Sequence, residues 1–372
     1  MSKCAIDFND AVIWQDKAWF FSNDFNGLYS VDLLNQEVEF RGRVPFEPLF
    51  DHYLYSSLVV WENKIYLVPF KAKKMAIYDI TAEKFEQMDL IAEGQQFFNG
   101  TCLYGNYLFL FHFFDATVLK IDLKSGAITV IDKWIDKASP CLFGKSDAHF
   151  SYFRKQLVCK EGKIYIPFCY ANAVLEIDCE NSNSNVHVIG KTEQGYAGIC
   201  EDGEDLWLAP KRRNGAVVRW NPKTDHKDIL QCKDDSNSFA YIGIAKEHGQ
   251  ISLYSAVELP QFPHSSSFEV KPDRYRFVNV SDQYVLALDI DKNVLVIYNK
   301  ITDKEKEIVI STEYENTPLI HLFKEKIIRE SQAQSLSHLF DAINSGEKPP
   351  KEPEAKIGES IYWTIRNQRE KK

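Results

Sequence analysis

Three residues in this 372-residue sequence combine acid–base chemistry with positions in loop-like segments. They are His52 beside Asp51, His149 two residues after Asp147, and Glu258 in Val257-Glu258-Leu259-Pro260. Imidazole titrates near neutral pH, so either histidine could pass a proton to or from a bound substrate. A second set mixes aromatic rings with amides, acids and cations: Tyr55, Phe98, Asn99, Phe114, Asp115, Tyr152, Arg154, Tyr170, Asn172, Tyr196, Arg212, Arg213 and Tyr241. Rings cover apolar C–H surface while the polar groups pair hydroxyls or amides, a combination suited to sugars and peptides. Each feature also has a plainer reading. A lone loop histidine is commonly solvated surface, and recurrent aromatics pack sheets together.

No linear motif accompanies these residues. The sequence has no H-E-x-x-H, no G-x-S-x-G elbow, no phosphate loop and no G-x-G-x-x-G. Its eight cysteines form no C-x-x-C and show no metal-ligand spacing. No metal and no cofactor is therefore expected, and the thiols read as reduced and mostly buried.

What positions such residues is a repeat. An apolar strand, a polar turn, a second strand, a loop, and a third strand ending on Asp or Asn recur along the chain, followed by a turn and a fourth strand. The clearest copy runs Ser57 to Val68 and then Met75 to Phe85. Others start at Ala11, Thr101, Leu157, Ala197 and Arg276, and a degraded one starts at Tyr241. The markers Asp32, Asp79, Asp122, Asp178 and Asn221 stand 43 to 56 residues apart. A period in the forties with four short strands is the pattern of propeller blades, whose sheets bury their faces only against neighbours. The marker carboxylates should accept hydrogen bonds from the following turn, a structural task.

Asn63-Lys64-Ile65-Tyr66 with Tyr78-Asp79, and Gly162-Lys163-Ile164-Tyr165 with Ile177-Asp178, resemble kelch-type and related propeller repeats over residues 5–311. The double glycine usual in kelch repeats is replaced by Val68-Pro69, Phe111-His112 or Pro167-Phe168. The resemblance implies an all-β fold: a β-propeller of seven four-stranded blades, or six if the degraded copy forms none. Loops joining blades, and those between second and third strands, should then surround one channel mouth. His52, His149, Glu258 and the aromatic set all fall on or beside those loops.

The domain plan is a propeller over 1–315, a helical extension over 316–346, and a Pro- and charge-rich linker and tail over 347–372. Thr317-Pro318 suits a helix start, and apolar residues at helical spacing follow. With 44 Lys+Arg against 53 Asp+Glu, net charge −9, the chain lacks the basic balance of a nucleic-acid coat. Met1–Asp7 carries no apolar leader, and no apolar run is long enough to span a membrane, so a cytoplasmic location is expected. The expected function is a binding or scaffold protein taking a peptide, glycan or modified-protein ligand at the mouth. The tail offers a route to dimers or partner docking. The alternative is a propeller lyase, epimerase or hydrolase with a His/Glu site at the same mouth.

Overall fold

The computed structural model describes residues 3–48, 51–90, 96–145, 150–190, 193–231, 241–257 and 267–313. The expected helical extension and tail lie outside the described residues. So do His149 and Glu258.

The chain is an all-β propeller. Its first five blades are four-stranded antiparallel meanders in strict chain order. Blade one is Phe8–Trp14, Lys17–Ser22, Leu28–Asp32 and Val38–Gly42. Blade two starts at Tyr55–Trp61, blade three at Phe98–Tyr104, blade four at Val158–Lys160 and blade five at Tyr196–Asp202. The degraded sixth copy does form a blade, and an irregular one. Tyr241–Glu247 and Gln250–Ser255 pair normally, then the long strand Glu269–Val280 joins blade six to blade seven. Glu269 and Val270 lie parallel to Ser252 and Leu253, whereas Tyr275 to Val280 pairs antiparallel with Val285 to Asp289 as the first strand of blade seven. Thirteen residues separate Ser255 from Glu269 in the sequence, a length that permits the parallel pairing, which a tight turn could not supply.

Packing follows the ring. Among the described residues there are seven hydrophobic clusters, one for each interface between neighbouring blades. Trp19, Phe21 and Leu28 of blade one meet Leu58, Ile65 and Tyr78 of blade two. Phe8, Ala11 and Phe20 meet Phe277, Leu286 and Leu295 of blade seven, which closes the circle. Both faces of the second strands are buried, as in Ile65, Tyr66, Leu67 and Val68, so they read as apolar runs without alternation. At the closure Lys3–Ala5 pairs with Ser311–Glu313 in a two-stranded ribbon. The insertion before blade four forms a short helix, Ile135–Ala138, moored by the fully buried Trp134 against Phe153 and Phe168.

The marker residues do the local work that their spacing predicts. Asp32 accepts from the N–H groups of Leu34 and Asn35 at 2.8 and 3.1 Å, and Asp79 from Thr81 and Ala82 at 2.9 and 2.8 Å. Asp178, Asn221 and Asn299 repeat the pattern. These backbone donors hold Asp32 and Asp79 below the usual carboxylate range.

One carboxylate has a different task. Glu176 on blade four accepts from His187 Nε2 and from Lys163 Nζ, each at 2.9 Å. The His187 bond first, then Lys163, brings its pKa down to about 2. A depressed carboxyl contributes stability that is present above its unfolded pKa and is lost as pH falls through the folded one. The difference in thermal midpoint between the native protein and Glu176→Gln should therefore be full above about pH 5 and shrink toward about pH 2. A difference that does not change with pH would remove Glu176 from this role.

Candidate functional site: the axial pocket

A recurring bulge converts the scaffold into a site. At the start of most innermost strands an aromatic residue pairs with the second strand, and one extra residue intervenes before pairing resumes. Tyr55 faces Pro69 and Ser57 then faces Val68; Phe98 faces His112 and Gly100 then faces Phe111. The same shift follows Phe8, Tyr196, Tyr241 and Tyr275. A bulge re-aims side chains at a sheet edge. The aromatic turns into the inter-blade core, and a neighbour turns to the axis. Asn9, Ser56, Asn99, Ile242 and Arg276, each directly after its aromatic, line a pocket of about 280 Å³ contributed by six blades. Tyr53, Phe70, Phe113 and Phe277 give it aromatic walls.

Blade four departs from this rule and closes the axis below. Phe153 bridges Phe168, but pairing resumes only at Val158 opposite Tyr165. Five steps along one strand thus answer three along the other, one more residue than in the other bulges. The added length carries Lys155 and Gln156 across the ring. Lys155 Nζ donates to the Asn9 carbonyl at 2.7 Å, the Ser56 carbonyl at 2.9 Å and Asp10 Oδ1 at 3.0 Å. Its three ammonium hydrogens are thereby committed, so Lys155 braces blade four to blades one and two and has no lone pair for nucleophilic work. Asp10 also accepts from Leu58 N–H and Asn279 Nδ2, each at 2.9 Å. Burial raises the Asp10 pKa, with Lys155 opposing, and burial lowers that of Lys155, with Asp10 opposing. Gln156 passes over Gly198 of blade five and pairs with both the N–H and the carbonyl of Ile244 on blade six.

The mouth is held by backbone hydrogen bonds that run from blade to blade. Tyr53 N–H donates to the Asn23 carbonyl, Phe97 to Phe70, Phe113 to Phe97 and Tyr152 to Phe113. Tyr53 and Phe97 adopt left-handed φ values of 58° and 51°, uncommon for bulky residues and costing about 1–3 kcal/mol each. The surrounding bonds hold both rings in place. Phe97, Phe113 and Phe114 stack edge-on at 4.8–5.3 Å, and Lys71 Nζ stands 5.7 Å from the Tyr53 ring.

The structure disperses the residues singled out by sequence. Asn99 and Arg154 line the axial pocket. Tyr170, Asn172, Tyr196 and Arg212 line a second cavity of about 480 Å³ between blades four and five, where Lys211 Nζ lies 3.2 Å from the Tyr170 ring centroid and Tyr196 donates to Asn172. Tyr55, Phe98 and Tyr241 are 1–3% exposed and belong to inter-blade cores. Tyr152 packs on Trp134 and Phe150, while Phe114 and Asp115 stand on the rim beside His112. Arg213 lines neither cavity. His52 Nδ1 is 3.7 Å from Asp24 Oδ1, and His52 is not among the residues lining either cavity. Among the described residues no group of three or more His, Cys, Asp or Glu could hold a metal ion.

Asn9, Ser56, Lys155 and Arg276 were not among the sequence candidates. The signal for them was available: each follows a strand-starting aromatic by one residue, or by two for Lys155.

No family model matches the chain, and no curated protein sequence matches it. Solved structures do resemble it. Virginiamycin B lyase from Staphylococcus aureus is 11% identical with a TM-score of 0.52, over 85% of this chain and 90% of that one. A catalytically inactive form of that lyase with quinupristin gives the same identity and score over 83% and 88%. The extracellular domain of the one-component system BT4673 from B. thetaiotaomicron is 14% identical with a TM-score of 0.51, over 76% of this chain and 37% of that one. These neighbours include a lyase and an extracellular domain, so what the likeness establishes for this chain is the β-propeller scaffold.

Proposed function

We propose that the protein is a recognition module whose axial pocket takes the end of a peptide, with an apolar side chain against the rings and a carboxylate toward the guanidinium groups. The observation that carries this reading is the convergence of bulge residues from six blades on one small pocket. Tyr53, Phe70 and Phe113 suit an apolar side chain, the Asn9 and Asn99 amides suit peptide groups, and Arg154 and Arg276 suit a carboxylate. About 280 Å³ accommodates a single residue, so the rest of such a ligand would lie across the rim near Phe114. The commitment of Lys155 to three acceptors favours binding over covalent chemistry at this point.

The test is fluorescence polarisation with peptides ending in aromatic or aliphatic residues, each as free acid and as amide. Free acids should bind. Arg276→Ala should weaken them about tenfold or more, the size expected for a lost charge-assisted bond, and Asn99→Ala by roughly three- to tenfold, the size of a neutral one. Arg212→Ala, in the cavity between blades four and five, should leave binding unchanged. No binding of free acids, or binding that ignores Arg276 and Asn99, would overturn the reading. Glycans bound in place of peptides would replace the ligand class, and a peptide altered in mass after incubation would establish catalysis.

A further inference from the structure

Three thiols meet where blades three and four pack, near the ends of strands that begin at the mouth. Cys102 lies on the first strand of blade three, Cys159 on the first strand of blade four, and Cys179 just after the third strand of blade four. Cys102 and Cys179 are buried in the interface core. Cys159 is exposed. Its Sγ is 4.0 Å from Cys179 Sγ. As inert core residues, Cys102 and Cys179 need no explanation, because cysteine packs as a small hydrophobe. Cys159 does need one, since an exposed thiol gains little from packing.

The arrangement assigns unequal roles. Of the contacting pair, Cys159 is the sulfur open to solvent and Cys179 the buried one, and the neighbouring thiols, Cys102 first and then Cys179, bring the Cys159 pKa down. Cys159 and burial push Cys102 and Cys179 up. Lys120 Nζ stands on the Cys179 side, donating to the carbonyls of Cys179 and Glu180 at 2.6 and 2.8 Å, and offsets a small part of the rise in the Cys179 pKa. An exposed thiolate with a protonated thiol one sulfur contact away is the arrangement that reacts with oxidants and then resolves.

We propose that Cys159 and Cys179 form a peroxide-responsive thiol pair, with Cys159 attacking hydrogen peroxide and Cys179 resolving the product into a disulfide. In the first step the Cys159 sulfur bonds to one peroxide oxygen, the O–O bond breaks, and the departing hydroxide is protonated to water. Cys159 is left as a sulfenic acid. In the second step Cys179 sulfur attacks Cys159 sulfur, the S–O bond breaks, and hydroxide leaves with the Cys179 proton as a second water. Two thiols and one peroxide thus give one disulfide and two waters. Cys179 is the resolving partner because it shares a sheet with Cys159. Bond formation brings the sulfurs from 4.0 Å to about 2 Å, and because the second strand of blade four lies between their strands, the turn that carries Cys179 has to move with its side chain. Bonding to Cys102 would instead draw two packed blades together.

The experiment uses the full chain, reduced and desalted, in two measurements. At about pH 6 iodoacetamide should label Cys159 at least about tenfold faster than Cys141, whose thiol burial pushes up. Equimolar hydrogen peroxide followed by alkylation and peptide mapping should give one Cys159–Cys179 disulfide. In Cys179→Ser a dimedone adduct should accumulate on Cys159. The mapping of the native protein stands even where that variant folds poorly. Labelling of Cys159 no faster than Cys141, a Cys102–Cys159 linkage, or peroxide consumption without any disulfide would each overturn the assignment.

Discussion

Replacing Lys155 with methionine should destabilise the protein by about 3–5 kcal/mol, the cost typical of breaking a buried ion pair on one side. Methionine keeps most of the volume, so the loss isolates the ammonium. Asp10, 2% exposed, would be left with Leu58 N–H and Asn279 but without its counter-charge. The carbonyls of Asn9 and Ser56 would lose their shared donor. The effect should also depend on pH. Asp10 already titrates above its ordinary value because it is buried, and removing Lys155 raises it further. A raised carboxyl favours the folded state as pH falls, because the native form then binds the proton more tightly than the unfolded chain does. The penalty of Lys155→Met should therefore be largest near neutrality and shrink on acidification, and Asp10→Asn in the same chain should recover part of it. Urea unfolding at several pH values measures this. A penalty below about 1 kcal/mol, or one that is the same at every pH, would mean that the brace is surrounded by water.

Gly198→Ala should cost about 2–4 kcal/mol, from overpacking and from the loss of buried hydrogen bonds together. A Cβ at this position would lie 1.9 Å from Gln156 Oε1 and 3.0 Å from the Gly243 Cα. The first contact forces Gln156 away from Ile244 and breaks both bonds that tie blade four to blade six. The second is against backbone and cannot yield as easily. A double-mutant cycle separates the two. With Gln156→Ala already present, Gly198→Ala should cost distinctly less, leaving only the Gly243 contact, with a coupling of about 0.5–3 kcal/mol. Full additivity of the two changes would show that the side chain does not cross this glycine.

The fold was legible because a propeller repeats its physics. Every regular blade needs apolar second strands, a polar hairpin and a side chain to cap the turn after its third strand, so Asp32, Asp79, Asp122, Asp178 and Asn221 marked the period. The weak sixth copy, starting at Tyr241, was located correctly. Its parallel pairing was not legible, since strand direction is not encoded in the types of the residues that pair. The mouth was legible only in outline. Tyr55, Phe98 and Tyr241 stood out as aromatics, but a one-residue bulge decides which of two neighbours faces the core and which the axis, and residue type does not encode that choice. Lys155 and Gln156 were hidden for a related reason. Their roles come from a bulge one residue longer than the others, visible only once the second strand supplies a register.

The ribbon between Lys3–Ala5 and Ser311–Glu313 has a consequence for synthesis on the ribosome. Six of the seven interfaces join blades made one after the other, so each can form while translation continues. The seventh cannot. Ile6, Phe8 and Phe20 wait with an uncovered apolar face until Phe277, Leu295 and Ile310 have been made. Throughout that interval the nascent chain is an open arc with a sticky leading edge, the kind of surface that recruits chaperones or pairs with another nascent copy. Slowing elongation after blade five should lengthen the exposure and favour exchange of end blades between two chains, whereas a covalent link between the first and last strands would make closure nearly immediate upon release.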